Sequence, residues 1–427
     1  MTAIVAFAGK TGLAVAARGA GHATYGQAQT AGGIVIDMAG LDLISDVGAQ
    51  RVTAQAGALW ADVLDATLAH GRTPAVLTDY LGVSVGGTLS VGGVGGTSHR
   101  YGFQVDNVEE LQVVTGIGQL TTCSPERNRR LFDAVRAGLG QCGITISVTL
   151  RVIPAPAQAR RYRLLYRDLS TFLADQRQLV MQGRFDFLQG QIVPVAPGDW
   201  RYRLEVAAYY TPPAVPDDAA LLIDLNDDST DIEIDDLSYR EFQHRLAPGE
   251  AVLRASGEWL YPHPWLTLFL PSQATAALVN EILTEPTTAE LGNSGLILLY
   301  PVRTDRLHTP LMRIPDSELV WLLALLRTAS ADDPASSTAM IEANQAVRTR
   351  AIACGGTTYP INTMPMPPAD WRIHFGPHWR QFQTAKQEFD PHGILTPGYG
   401  IADGPGLFHI RNRDRLSRQP SVCFGWS

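Results

Sequence analysis

Residues 18–22 read Arg18-Gly19-Ala20-Gly21-His22, set between an apolar run at 13–17 and a second ending in Ile34-Val35-Ile36-Asp37. A strand that runs into a tight glycine turn aims consecutive backbone N–H groups at one concave surface, which suits a pyrophosphate. The His22 imidazole stands beside that surface, where it can touch or bond to whatever the pyrophosphate carries. Taken alone, the pentapeptide is equally a glycine hairpin with an incidental histidine, because short glycine motifs are common. Further on, residues 78–102 are dense in glycine and have the composition of a flexible linker. Val83, Val85, Leu89, Val91 and Val94 punctuate the run, so it reads better as ordered backbone passing close to a ligand.

The elements that must hold these residues follow from periodicity. Residues 1–11 read as a short amphipathic helix leading into a strand at 13–17, and a domain that starts in mid-helix implies a further strand upstream. Strands are expected at 33–37 and 51–56, and a helix over 59–69 closed by Gly71. Strands at 108–115 and 119–123 flank Gly116-Ile117-Gly118, a hairpin signal. A helix over 128–137 and a strand over 145–152 follow. Beyond Pro154-Ala155-Pro156 the character changes. Strands at 162–166, 187–193, 202–209, 260–270 and 296–302 mix with helices at 170–182, 216–226, 272–283 and 338–352. That is the pattern of an antiparallel sheet with helices on one face. The acidic run 224–236 reads as a solvated loop and strand edge, since it lacks the His or Gly framework of a metal site. A second boundary falls in the proline-rich 360–368, followed by a helix over 371–388, a turn at Pro397-Gly398-Tyr399-Gly400 and a C-terminal tail.

Composition narrows the function classes. A chain of 427 residues with 45% hydrophobic content can form two domains and a core that encloses a large ligand. A net charge of −8 without any basic run argues against nucleic acid as a partner. No apolar stretch reaches transmembrane length, and Met1-Thr2-Ala3-Ile4 lacks the basic region and cleavage site of a signal peptide. Cys123, Cys142, Cys354 and Cys423 show neither disulfide pairing nor CxxC metal spacing, so a reduced, cytoplasmic setting and no metal are expected.

The segment TDYLGVSVGGTLS at 78–90, taken with RGAGH at 18–22, GQA at 26–28 and VIDM at 35–38, resembles a known family. It is that of the FAD-linked oxidases of the vanillyl-alcohol oxidase/p-cresol methylhydroxylase (PCMH) type, and within it the cytokinin dehydrogenases. The likeness continues through Gln104–Asn107 and Val108, Val114-Thr115-Gly116, Thr122-Cys123-Ser124, residues 131–135 and Gly138-Leu139-Gly140-Gln141. It returns at Pro262-His263-Pro264-Trp265-Leu266, Leu299-Tyr300-Pro301, Phe389-Asp390-Pro391 and Leu395-Thr396-Pro397-Gly398. The resemblance implies an α+β, two-domain PCMH-type fold. A split FAD-binding domain would comprise residues 1–157 and 369–427, its N-terminal strand missing here, with an inserted substrate domain of antiparallel sheet and helices over 158–368.

The resemblance also implies roles. His22 stands where the family histidine bonds covalently to the flavin 8α-methyl, and Gly19, Ala20 and Gly21 would offer N–H groups to the pyrophosphate. Ala17, Ala23, Gln27, Ser84, Ser90, Val94, Ile144, Tyr359, Thr396 and Tyr399 fall on cofactor positions, with Gln27 on the flavin side and Ile144 at the adenosine end. Asp79 is the catalytic residue and touches both cofactor and substrate. It would hydrogen-bond a secondary amine and take its proton as the neighbouring carbon gives hydride to flavin N5. Glu250 at the pocket mouth, with His263, Trp265 and Tyr300 along the wall, completes the substrate side. Two positions depart from the family: Ala23 replaces a Ser, and Tyr399 replaces a Gln. No cysteine lies in 81–102, so no second, cysteinyl flavin link is expected.

The implied activity is oxidation of a C–H beside a secondary amine of the N6-alkyl adenine type, the imine then hydrolysing to aldehyde and amine. An alcohol, sugar or secondary-metabolite oxidase on the same fold is the alternative, and a catalytically silent flavin-binding protein a third. The expected partners are a small-molecule substrate and an electron acceptor, oxygen or a quinone, with no nucleic acid and no membrane, in a monomer or homodimer.

Overall fold

The computed structural model describes residues 1–401 except 197, 230 and 231, so the expected C-terminal tail and Cys423 lie outside the described residues. The chain opens with the helix Thr2–Thr11, which buries Val5 and Ala8. These pack into a small apolar cluster with Val15, Met38, Ile144 and Leu395. Strand Val15–Arg18 then pairs in parallel with Ile34–Asp37. The far end of the sequence completes this ribbon, because Val15 N donates to Ile394 O at 2.7 Å and Thr396 N to Val15 O at 2.8 Å.

An antiparallel sheet follows in the order Ile44–Ser45, Arg51–Gln55, Ile144–Pro154, Val108–Val114, Leu120–Cys123, with Arg72–Pro74 paired to the end of Ile144–Pro154. The expected hairpin is present, its turn closed by Thr115 N donating to Gln119 O. Helix Trp60–Leu68 buries Trp60, Val63, Leu64 and Thr67, one stripe at helical spacing. The Trp60 indole N–H, which burial would otherwise strand, donates to Thr88 Oγ1 at 2.8 Å.

The glycine-dense run is ordered, as expected, but it is not simply extended. It coils into helix Val85–Val91 and one further turn, Ser98–Tyr101. Val85 N donates to Ala58 O and Gly86 N to Ala56 O, so the start of the helix is pinned to the end of a strand by bonds that no composition reveals. Gly95 is there for space: a Cβ on it would collide with the Leu77 carbonyl.

The second lobe is built on an eight-stranded antiparallel sheet. Its order is Glu233–Ser238, Gln158–Tyr166, Asp199–Tyr210, Phe187–Ala196, Leu296–Arg303, Leu319–Leu326, Leu266–Pro271, Thr357–Thr358. Strand alternation divides its two faces. Gly190 lies against Phe172 of helix Leu169–Gln182, whereas Phe187 and Gln189 face the first lobe, with the Phe187 ring against Gly96. Phe103 and Phe269 meet across the seam with centroids 5.5 Å apart, and both are fully buried, so one apolar core runs through both lobes.

Several sequence expectations are corrected here. Strand Leu319–Leu326 went unread because its unbroken apolar run, buried on both faces, shows no alternation. Of the strand expected over 260–270 only Leu266–Pro271 forms, since Pro262 and Pro264 cannot donate to a ladder. The helix expected over 216–226 shrinks to Asp218–Leu222, and that over 128–137 to Arg129–Val135. The single helix expected over 371–388 is two, Pro368–Phe375 and Trp379–Phe389, separated at Gly376 (φ 50°) and Pro377. Helix Ala247–Ser256 was not foreseen. The acidic run does supply an edge strand: Asp235 pairs with Arg161 at 2.7 Å, and such charge protects an edge.

Candidate active site at the seam between the lobes

Strand Val15–Arg18 delivers the turn RGAGH to the seam. Gly19 packs so closely on Ser84 that a Cβ would strike the Ser84 hydroxyl, and Gly21 has a left-handed φ of 84°. Ala20 N donates weakly to Ser84 Oγ at 3.4 Å. Among the described residues, no protein acceptor takes the N–H groups of Gly19, Gly21, His22 or Ala23. A row of backbone donors open to solvent on a glycine turn fits an anionic diphosphate such as that of FAD. Ser84 is buried under this turn as the N-cap residue of helix Val85–Val91. Ser90 Oγ is turned back to Gly86 O at 2.7 Å, and its carbonyl accepts from Leu139 N, so Ser90 braces the backbone.

Gln27 holds the turn to the second lobe: its Nε2 donates to Asn362 O at 3.1 Å and its Oε1 accepts from Tyr25 N. Tyr359 is buried and its hydroxyl accepts from Gly93 N at 3.0 Å, tying the glycine run to the same lobe. Val94 is buried in the main core and Ile144 in the small cluster beside Val15. Thr396 Oγ1 donates to Gly140 O, and the Tyr399 carbonyl accepts from the Trp371 indole at 3.0 Å. Ala17 is half-buried beneath the turn and Ala23 is exposed at its end.

His22 lies on the solvent-facing lip of the seam within an aromatic group. Its ring meets Tyr80 edge-on at 5.1 Å and Trp259 at 6.4 Å, and Tyr80 meets Trp259 at 5.4 Å. The protein packed around it, and next the Arg254 charge, lower the His22 pKa, while Glu250 opposes them. A neutral imidazole keeps a lone pair on one nitrogen, the form a nucleophilic histidine needs. Helix Ala247–Ser256 supplies the lid: Tyr80 Oη donates to Glu250 Oε1 at 3.2 Å, Arg254 pairs with Glu250 at 2.8 Å, and the Arg254 guanidinium lies 4.4 Å from the Trp259 ring.

One residue before Tyr80, Asp79 is held on both oxygens. Gln189 Nε2 donates to Oδ2, and Arg245 Nη2 to Oδ1 at 2.6 Å. Tyr300 is buried nearby and its phenol is pushed well up by burial, then by Asp79 and Tyr359, so it stays protonated and able to donate. The structure thus brings Asp79, Tyr300 and Tyr359 into one group, and His22 and Glu250 into a second that adjoins it through Tyr80. His263 Nε2 lies 3.2 Å from Trp259 O and its ring 5.7 Å from that of Trp265, so these two support the back of the lid, with Nδ1 of His263 buried and unpartnered.

Four residues of the site escaped the sequence reading: Tyr80, Gln189, Arg245 and Trp259. Tyr80 could have been taken from its place beside Asp79. The others carry no local signal, because Gln189 lies in an ordinary strand and Arg245 in a charged stretch that reads as surface. Among the described residues no cluster of His, Cys, Asp or Glu could hold a metal ion, and no helix is long and apolar enough to cross a membrane.

Comparison with known proteins places this geometry in context. Residues 1–124 match a family described as FAD binding domain, and residues 191–402 one described as Cytokinin dehydrogenase 1, FAD and cytokinin binding. An uncharacterised oxidoreductase of the fasciation locus of Rhodococcoides fascians is 46% identical, over 91% of this chain and 88% of its own length. Cytokinin dehydrogenase 10 of Oryza sativa subsp. japonica is 36% identical over 92% of this chain and 80% of its own. Cytokinin dehydrogenase 2 of Arabidopsis thaliana is 34% identical, with 92% and 84% covered.

Proposed function

Because the chain belongs to the cytokinin dehydrogenase family of FAD-dependent oxidoreductases, we propose that it oxidises the C–H beside a secondary amine, with an N6-alkyl adenine as substrate. The observation that carries this reading is Asp79, a seam carboxylate whose two oxygens are fixed by Gln189 and Arg245. A carboxylate has about four lone-pair sites, so two fixed donors leave capacity for a substrate N–H. Asp79 accepts that hydrogen bond, orients the amine, and takes its proton as the C=N bond forms. Bound FAD supplies the two-electron acceptor for the hydride lost from the adjacent carbon. Tyr300 donates to the substrate side from a protonated phenol, while Tyr80 and Trp259 shield the site from water. Water then adds to the released imine, which splits into an aldehyde and an amine.

In the same reading His22 would carry the covalent attachment of FAD, and the N–H groups of residues 19–23 would hold its diphosphate. The neutral imidazole and the open donors beside it support that attachment. Oxygen or a quinone would serve as the electron acceptor. The test is anaerobic mixing of the purified holoenzyme with isopentenyladenine, followed by the flavin's visible absorbance. Bleaching is expected. No bleaching with N6-alkyl adenines, alongside bleaching by alcohols or sugars, overturns the amine reading in favour of a hydroxyl oxidase.

A further inference from the structure

Arg245 is a buried charge, its side chain only 4% exposed, and it lies across the seam from the first lobe. Its guanidinium is split between two carboxylates. Nη2 donates to Asp79 Oδ1 at 2.6 Å, and Nε to Glu205 Oε1 at 2.7 Å. The rings of Phe187 and Phe242 flank it at 4.5 and 5.0 Å from the guanidinium carbon. Those two rings meet edge to face, 5.0 Å apart, so they form a rigid apolar corner for the cation. Glu205 is itself steadied by Arg161 and Arg163 at 4.0 and 3.9 Å. Charge therefore alternates from the surface strand Glu233–Ser238 inward to Asp79. A planar guanidinium can hold two carboxylates at a fixed angle; a lysine ammonium, as a point charge, cannot.

The chain path adds a second grip. Arg254 lies nine positions after Arg245, and within that span Glu250 holds Tyr80, the neighbour of Asp79. Both residues of the Asp79-Tyr80 pair are thus held by one segment of the second lobe.

We propose that Arg245 is a positioning residue for Asp79: it locks one carboxylate oxygen so that the other lone pairs meet the substrate N–H in a single orientation. The proposal rests on the reading of Asp79 given above. A misplacement of about 1 Å in such a group costs about 100-fold in rate.

The test is a double-mutant cycle of Arg245→Lys and Asp79→Asn in the flavin-loaded enzyme, with two readouts. Midpoints of thermal unfolding, measured without substrate, read the contact itself. Rates of anaerobic flavin reduction read positioning, using isopentenyladenine or whichever donor reduces the wild type. Failure of isopentenyladenine alone therefore counts against the proposed substrate and leaves this cycle intact. Arg245→Lys is expected to slow reduction about 10- to 100-fold, with flavin content unchanged and substrate binding altered far less than rate. In the Asp79→Asn background the same change should cost less than about 3-fold, because Arg245 acts through the group already removed. Equal losses in both backgrounds, or a wild-type rate in Arg245→Lys, overturn the proposal. Should Arg245→Lys not accumulate as folded flavoprotein, Arg245→Gln combined with Glu205→Gln, which removes the buried pair together, takes its place under the same criteria.

Discussion

At the residue scale, His22 carries the most specific chemical claim. Its ring stands between open backbone donors and the Tyr80–Trp259 pair, and its lowered pKa keeps it neutral. Wild-type protein should therefore stay yellow after acid precipitation, and His22→Ala should release its flavin into the supernatant while still binding it before acid. Acid-stable colour in the variant would remove His22 from the attachment. The turn around it was legible from five letters because glycine spacing is a local property. Its guard Trp259 was not, since it comes from more than two hundred residues away.

Among the elements, the glycine run and the lid helix behave in opposite ways. The run is fixed by close approach. Gly95 lies against the Leu77 carbonyl, which is backbone and cannot swing aside, and Gly96 faces the Phe187 ring. Gly95→Ala is expected to cost about 3 kcal/mol of stability by overpacking and to lower flavin content in the purified protein. Chemical denaturation that matched the wild type would show that the segment can shift. Helix Ala247–Ser256, by contrast, buries no residue fully and is attached by the polar contacts of Glu250 and Arg254. Its Pro248-Gly249 start reads as a turn along the chain, which is why it went unread.

For the whole molecule, the decisive feature is the seam. His99 lies within it, Nδ1 3.0 Å from Gly96 O and Nε2 3.1 Å from Phe185 O, so one ring packs against both lobes and, when neutral, donates to one of the two carbonyls. Burial pushes its pKa down to about 4, and that of His374 down to about 3. An unfolded histidine titrates near about 6.5. Above that pH neither state binds the proton and stability is level. Below it the unfolded chain takes up protons that the native rings refuse, so stability falls as pH drops from 6.5 towards 4 for His99 and towards 3 for His374. The unfolding midpoint should decline steadily across that range. His374→Phe should flatten its share of the decline, because Nδ1 of His374 has no partner to lose and its neighbours Trp371 and Phe375 are aromatic. An unchanged acid slope would exclude His374 as a source.

By itself the sequence determined what depends on neighbours along the chain. That includes the RGAGH turn and its histidine, the hairpin at Gly116-Ile117-Gly118, most of the amphipathic helices, and enough ordered motifs to mark an FAD-dependent oxidoreductase. Only the tertiary structure decided what Asp79 touches. Gln189 and Arg245 reach it, with Glu205 behind Arg245, from strands and loops whose local patterns are ordinary, and they meet because two sheets close on one apolar seam. A charge such as Arg245 reads as surface in one dimension. Burial between Phe187 and Phe242, and the partners that make burial tolerable, exist only once the chain has folded.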